Sequence, residues 1–426
     1  MSREVLITGI GFITCIGSNA PSVARSLQDG THGLVPWDFC GNPIVPVKVA
    51  APVPGFTVDS PSWRDWTWPT EYDIPRETLR GLAPHGVYAY CAMEQALADA
   101  GLARSELTDG GTGLFCASAG SAFILHHNLS QAHACRFERG NPMGIVSSIA
   151  GTLNFNLAAH YGITGAVTGF VSACASSSHA LGYATDEIRL GRQERMLVVG
   201  AEELNADTIL PFAPMRALSA STDPATASRP FDVNRDGFVG TGGSVVLVLE
   251  EGSVARRRKA RPYAEILGWG QASDGHSVAT SHPDGAGLHA AILRALRDAN
   301  LEPEQIDYIN AHATSTPIGD RAEALALKAA FTSVGAFPLV SSTKGLTGHG
   351  LSMAGAMELG FCALALRDGF IPGNPHLRVP DPVCEGLNLP QASLRTKATH
   401  VLNNSSGFGG SNVCHVLRRM PESPAS

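Results

Sequence analysis

One cysteine, two histidines and a lysine, each at the end of an apolar run, have the types and placement for chemistry. Cys174 lies in Val171-Ser-Ala-Cys-Ala-Ser-Ser-Ser-His179. The small and β-branched run 165–170 before it reads as a buried strand, and Ala180, Tyr183, Ala184 and Ile188 recur after it near helical period. A thiol at a strand-to-helix junction feels unpaired N–H groups and the positive end of the helix dipole, which favour the nucleophilic thiolate. Small neighbours (Ala173, Ala175, Ser176) leave room for an acyl group. The same stretch also suits a buried structural cysteine, the commonest fate of a free thiol, so by itself it leaves both readings open.

Three polar loops carry the other candidates. His312 opens His312-Ala-Thr-Ser-Thr-Pro-Ile-Gly-Asp320 after a strand at 308–310. Lys344 and His349 share Ser342-Thr-Lys-Gly-Leu-Thr-Gly-His-Gly350 after a strand at 339–341. Phe408 lies in Asn403-Asn-Ser-Ser-Gly-Phe-Gly-Gly-Ser-Asn412 after a strand at 398–402. In α/β sheets ligands gather at strand C-termini, so these loops are expected to face Cys174. Either histidine alone is more often structural, but one cysteine with two histidines in matching contexts makes a nucleophile-and-base set.

The elements that must position these residues follow from pattern. Strands are expected at 5–8, 113–116, 195–200, 245–249, 264–269 and 413–418, and helices at 286–299, 321–331 and 353–366. Residues 87–100 read as an amphipathic helix, and 145–161 as one glycine-punctuated helix. Residues 33–75, rich in Pro and Trp, read as an ordered surface excursion or a subunit contact. The stretch 251–261 carries Arg256, Arg257, Arg258, Lys259 and Arg261. It reads as a solvated face, or a surface for an acidic partner, at the join between two halves, 1–255 and 256–426.

Composition narrows the class. A chain of 426 residues exceeds what one core usually holds, and 44% hydrophobic against 16% charged residues points to a large, well-buried α/β protein. A net charge of −7 argues against a nucleic-acid binder. Nine cysteines without a CxxC pair fit a reducing cytoplasm better than a disulfide framework. Neither a signal peptide nor an apolar run of membrane-spanning length is present, so no membrane association is expected. The turn Val5-Leu-Ile-Thr-Gly-Ile-Gly11 has Thr14 where a dinucleotide loop needs its third glycine, and is read as structural. His126, His127, His133 and Cys135 lack metal-ligand spacing, so no zinc site is expected.

Taken together, Ser172-Ala-Cys174, Arg229-Pro-Phe-Asp with Arg235-Asp-Gly-Phe238, His312-Ala-Thr-Ser-Thr-Pro-x-Gly-Asp320, Lys344-x-x-Thr-Gly-His349 and Gly407-Phe-Gly-Gly410 resemble the β-ketoacyl-[acyl carrier protein] synthases, type I/II elongating enzymes. The likeness runs through nearly the whole chain, in order. It implies the thiolase fold, two similar halves in a five-layered α-β-α-β-α arrangement, and a dimer. It also implies a decarboxylative Claisen condensation in fatty-acid or polyketide/polyene-type elongation, served by acyl carrier protein without a metal or organic cofactor. In that family Cys174 would hold the acyl chain, His312 and His349 would donate to the malonyl thioester oxygen, and Lys344, paired with Glu358, would supply positive charge. The N–H groups of Cys174 and Phe408 would form the oxyanion hole, Phe408 would act as a gate, and Thr314 and Thr316 would contact the pantetheine arm.

This chain departs from the family at three of these places. Ala313 replaces a glycine and is expected to nudge its loop. Ser406 replaces a phenylalanine, which makes the gate smaller and more polar. Gly120 falls where a bulky aliphatic is often found, which implies a more open acyl pocket. Two other readings are a non-catalytic chain-length-determining partner, disfavoured by the intact Cys174, His312, Lys344 and His349, and a non-decarboxylating thiolase-like acyltransferase, disfavoured by the two histidines. Homodimer and heterodimer with a chain-length subunit both stay open.

Overall fold

The computed structural model describes residues 3–39, 41, 44–135, 138 and 140–421. The first half runs through β1 (Val5–Ile13), α1 (Pro84–Ala100), β2 (Thr112–Ala117), β3 (Val167–Phe170), α2 (Ser176–Arg189), β4 (Arg195–Glu202) and β5 (Gly243–Glu251). The second runs through β6 (Ala264–Ser273), α3 (Ala286–Ala299), β7 (Tyr308–Asn310), α4 (Pro317–Ala330), β8 (Leu339–Ser341), α5 (Ala354–Asp368), β9 (His400–Gly407) and β10 (Ser411–Arg419).

The strands form one hydrogen-bonded series, β8-β7-β9-β10-β6-β1-β5-β4-β2-β3. Outward from the β1–β6 seam, where Leu6 faces Glu265 and Ile7 faces Ala264, the two sets repeat each other. In each set the first strand pairs antiparallel with the fifth, the fifth antiparallel with the fourth, and the fourth, second and third run parallel. This is the duplication of the thiolase fold. Helices α2 and α5 pack on each other and on strands of both sets, whereas α1 covers β1, β5 and β4 and α3 covers β6 and β10. The layers are therefore α-β-α-β-α.

Burial explains why these sequences take these places. β1 and β4 are buried on both faces, so they read as unbroken apolar runs rather than alternating ones. α5 is buried from Ala354 to Leu366 on every side, as expected of a central helix. Its close approach to α2 depends on Gly355, where a Cβ would lie 2.0 Å from the Ser178 hydroxyl oxygen.

Several expectations change. The helix expected at 87–100 starts at Pro84 and is buried nearly all round rather than amphipathic. The single helix expected over 145–161 is two, Gly144–Ser148 and Leu153–Tyr161, parted where Gly151 takes φ +82°. The run before Cys174 forms the half-exposed edge strand β3, not a buried one. The last polar loop is largely strand, since β9 continues through Asn403–Ser406 to Gly407. The basic stretch is not simply solvated: Arg258 joins Arg195 in pairing with the buried Glu250, and Arg256 pairs with Glu4. Within 33–75, where residues 40, 42 and 43 lie outside the described set, Trp66 is buried and Trp63, Trp68 and Tyr72 pack against the core that contains α1.

Candidate active site

The N-terminal end of α2, the loops after β7 and β8 and the β9–β10 turn meet around Cys174. Ala173 takes φ +51°, a left-handed conformation rare for a non-glycine residue, so the chain turns sharply from Ser172 into α2 and presents Cys174 at the bend. The Ser176 hydroxyl braces the bend by donating to the Ala173 carbonyl (2.6 Å) and accepting from the Ser172 N–H (2.8 Å).

His349 Nε2 lies 3.0 Å from Cys174 Sγ. The His312 ring packs edge-on against His349, with centroids 5.3 Å apart, and Phe238 packs edge-on against His349 at 5.3 Å. Burial, with the Lys344 charge second, holds both imidazoles well below the ordinary 6.5, so both are neutral. Neither Nδ1 has a protein partner among the described residues, so neither tautomer is locked.

Lys344, in the short helix Lys344–Thr347, forms an ion pair with Glu358 of α5, both side chains fully buried. Burial pushes the Glu358 carboxyl up to about 7 against the pull of Lys344. Burial likewise pushes the Cys174 thiol up to about 12, with Lys344 pulling it down. The resting site therefore holds a thiol rather than the thiolate expected from the helix terminus. Cys174 is partly open to the cavity, but the surrounding protein removes the bulk water that would solvate a charged sulfur.

A cavity of about 340 Å³ is lined by Cys174, His312 and His349 together with Thr314, Thr316 and Phe408. The hydroxyls of Thr314 and Thr316 lie 3.1 Å apart. Phe408, at the β9–β10 turn, packs on Phe212 with centroids 6.0 Å apart. A Cβ at Gly407 would lie 2.8 Å from the Ser172 carbonyl oxygen and 3.1 Å from the Cys174 nitrogen, so only glycine lets this turn approach the nucleophile. Among the described residues, neither the Cys174 nor the Phe408 N–H donates to a backbone carbonyl, which leaves both free for a developing oxyanion. Ser406 also lines the cavity and hydrogen-bonds to Asn412 Oδ1 (2.7 Å).

Gly120 is not brought to the cavity. It takes φ +81°, and a Cβ there would lie 2.6 Å from both the Ser148 oxygen and the Ala150 nitrogen, so a tight turn against 148–150 accounts for the glycine and no open pocket follows from it within this chain. Ala313 fits without left-handed backbone, and the residue with positive φ in that loop is Ser315 (+71°).

The sequence reading missed Glu323 and gave Asp320 no role. Glu323, on α4, accepts from the N–H groups of His312 (2.9 Å) and Ala313 (2.5 Å) and from Asn404 Nδ2 (3.0 Å), fixing the histidine loop to β9. Asp320, one turn earlier, accepts from the Phe231 N–H (2.9 Å) beside the buried Arg235. The available signal was two acids three apart at the start of a helix following the histidine motif. Among the described residues, no group of three or more His, Cys, Asp or Glu side chains is placed to hold a metal ion.

Comparison with known proteins agrees with this geometry. The family models "Beta-ketoacyl synthase, N-terminal domain" and "Beta-ketoacyl synthase, C-terminal domain" match residues 2–255 and 263–378. The chain is 36% identical to 3-oxoacyl-[acyl-carrier-protein] synthase 1 of Haemophilus influenzae, over 98% of this chain and 99% of the relative. A solved β-ketoacyl synthase from Burkholderia phymatum STM815 superposes with a TM-score of 0.89 at 32% identity, covering 99% of this chain and all of the other. The ishigamide ketosynthase/chain length factor does so with a TM-score of 0.87 at 29% identity, again over 99% and 100%.

Proposed function

Because the chain belongs to the β-ketoacyl synthase family, we propose that it elongates acyl chains by decarboxylative condensation, with Cys174 as nucleophile and malonyl-carrier protein as two-carbon donor. The observation that carries this reading is the 3.0 Å approach of a neutral His349 to the Cys174 sulfur, with His312 against it in the same cavity.

In the first half-reaction the Cys174 sulfur attacks an acyl-carrier thioester. His349 Nε2 takes the thiol proton and returns it to the departing carrier thiol, while the Lys344 charge favours the sulfur anion that forms. In the second, malonyl-carrier protein enters past Thr314 and Thr316. His349, whose Nδ1 has no protein partner among the described residues to fix its tautomer, carries its ring proton on Nε2 in this step, so that the Nε2–H groups of His312 and His349 donate to the thioester oxygen and CO2 departs as that oxygen gains enolate charge. The enolate carbon attacks the Cys174 thioester, and the resulting oxyanion rests on the Cys174 and Phe408 N–H groups. Collapse releases a β-ketoacyl-carrier two carbons longer, and the Cys174 thiolate takes up one proton. Cysteine, histidine, lysine and backbone carry these steps, with no metal or organic cofactor called for.

Incubation with acyl-carrier and malonyl-carrier proteins tests the reading: CO2 and the β-ketoacyl thioester are expected one to one, and thioester hydrolysis without CO2 would overturn it. The chain length and the choice between fatty-acid and polyketide/polyene-type products are read from the same assay with a panel of acyl donors.

A partner is expected along β3. This strand is one end of the sheet, and beside it Val171 is 62% exposed and Phe155, Tyr183 and Leu190 are also exposed. The proposed occupant is a second copy, so light scattering should give twice 44.6 kDa. A monomer that pairs only with a chain-length subunit, the kind of partner that the name of the ishigamide ketosynthase/chain length factor includes, is the contrary result. The described cysteines are all free, which fits a reducing cytoplasm. No helix among the described residues is long and apolar enough to cross a membrane.

A further inference from the structure

The sharp bend that presents Cys174 puts an alanine where glycine would be at ease. Ala173 takes φ +51°, and left-handed backbone costs a residue with a Cβ what it does not cost glycine. Such a residue keeps its conformation only when its surroundings hold it there. Inside the bend, the Ala175 N–H donates to the Ser172 carbonyl (3.2 Å) and the Ser176 N–H to the Ala173 carbonyl (3.1 Å). Both bonds close the turn on itself.

A series of side chains runs outward from it. The Ser172 hydroxyl lies 2.7 Å from His179 Nδ1, His179 Nε2 lies 3.0 Å from Gln271 Oε1, and Gln271 Nε2 donates to the Tyr183 hydroxyl (3.1 Å). The Gln271 oxygen accepts, so His179 carries its ring proton on Nε2 and its bare Nδ1 accepts from Ser172. Burial holds this imidazole below the ordinary 6.5, so it stays neutral and the direction of the bonds is kept. His179 and Tyr183 sit on α2, but Gln271 sits on β6, in the other half of the chain. There it pairs with Val413 of β10, the strand that leaves the turn bearing Phe408. The bonds therefore tie the Cys174 side of the oxyanion hole to the Phe408 side.

We propose that His179, steadied by Gln271, is a positioning residue: through the Ser172 hydroxyl it keeps Ala173 left-handed, and so keeps the Cys174 N–H aimed with that of Phe408 at one oxyanion. Its two ring nitrogens are engaged by Ser172 and Gln271, so it acts on the reaction through the bend. The inference rests on the condensation reading, because acyl transfer to and from Cys174 is where that oxyanion forms.

The test follows two reactions of the Cys174 sulfur: acylation by acyl-carrier protein, and alkylation by iodoacetamide, which passes through no oxyanion. His179→Ala should slow acylation about tenfold, the scale of one residue's left-handed cost, and leave alkylation at the wild-type rate. Ala173→Gly removes that cost. Alone it should acylate as wild type does, and combined with His179→Ala it should recover the lost rate. Gln271→Leu leaves His179 in place without its outer acceptor. It should slow acylation in the same sense and be recovered by Ala173→Gly in the same way, and it carries the test if His179→Ala does not fold. Acylation at the wild-type rate in His179→Ala, or slowing that Ala173→Gly does not relieve, would overturn the proposal. So would equal slowing of alkylation, which would mean that the thiol itself has moved. A wild type that iodoacetamide alkylates but no acyl-carrier protein acylates contradicts the condensation reading, and this inference with it.

Discussion

Lys344 and Glu358 form an ion pair with no solvent on either side chain, one residue from the loop before His349 and the other from the central helix α5. A buried pair of this kind adds little net stability over apolar residues, but losing one partner strands the other's charge. Lys344→Ala is therefore expected to destabilise the fold by about 3–5 kcal/mol and to stop decarboxylation. Lys344→Met with Glu358→Leu should recover most of the stability in urea unfolding without the activity. Recovery of both would mean the pair is structural only.

The two histidines set the pH dependence. Burial, then the nearby Lys344 charge, holds each well below 6.5, so the neutral donor form persists down through that pH and is lost only as pH falls through the depressed values. The histidines should thus add no acid limb to the decarboxylation rate until pH is below 6.5. Raised to about 12, Cys174 adds no alkaline limb near neutrality. An acid inflection at or above 6.5 other than that of the Glu358 carboxyl, raised to about 7, would contradict this arrangement.

Gly407 is where the β9–β10 turn comes closest to the nucleophile. Gly407→Ala would place a methyl 2.8 Å from the Ser172 oxygen and push the Phe408 N–H away from Cys174. The expected cost is about 10²-fold in kcat, the scale of one lost oxyanion donor, with melting temperature nearly unchanged. An active Gly407→Ala enzyme would remove Phe408 from the oxyanion hole.

Glu323 holds the His312 loop without touching the cavity's reacting atoms. Glu323→Gln keeps an acceptor but sets an amide N–H against the loop's own N–H donors. Decarboxylation is expected to fall by about tenfold or more, on the scale of one charge-assisted hydrogen bond, while acylation of Cys174 is retained. Equal loss in both half-reactions would make Glu323 a folding residue alone.

The sequence made some of this legible and hid the rest for identifiable reasons. Helix 286–299 and strands 308–310 and 339–341 were readable because turn residues bracket their apolar periods, as Gly285 and Asn300 do for α3. The clustering of Cys174, His312, Lys344 and His349 was readable from their common place at strand ends. β9 was misread after Leu402 because Asn403-Asn-Ser-Ser looks like a loop; in the fold, Asn404 meets Glu323 and Ser405 accepts from Ser178, so polar residues sit buried in a strand. Such partners are distant in sequence and leave no local pattern. The resting state of Cys174 was misjudged for a related reason: the helix terminus is local and visible, whereas the burial that outweighs it belongs to the whole fold.

The central claim is that Cys174 holds the growing chain, and intact-mass spectrometry tests it most directly. Wild type and Cys174→Ala are each incubated with acyl-carrier protein, and malonyl-carrier protein is then added. The account predicts one acyl adduct on wild type and none on Cys174→Ala, followed by loss of the adduct as a β-ketoacyl-carrier two carbons longer and CO2 appear. An adduct that survives Cys174→Ala, or elongation that proceeds without any adduct, would contradict it.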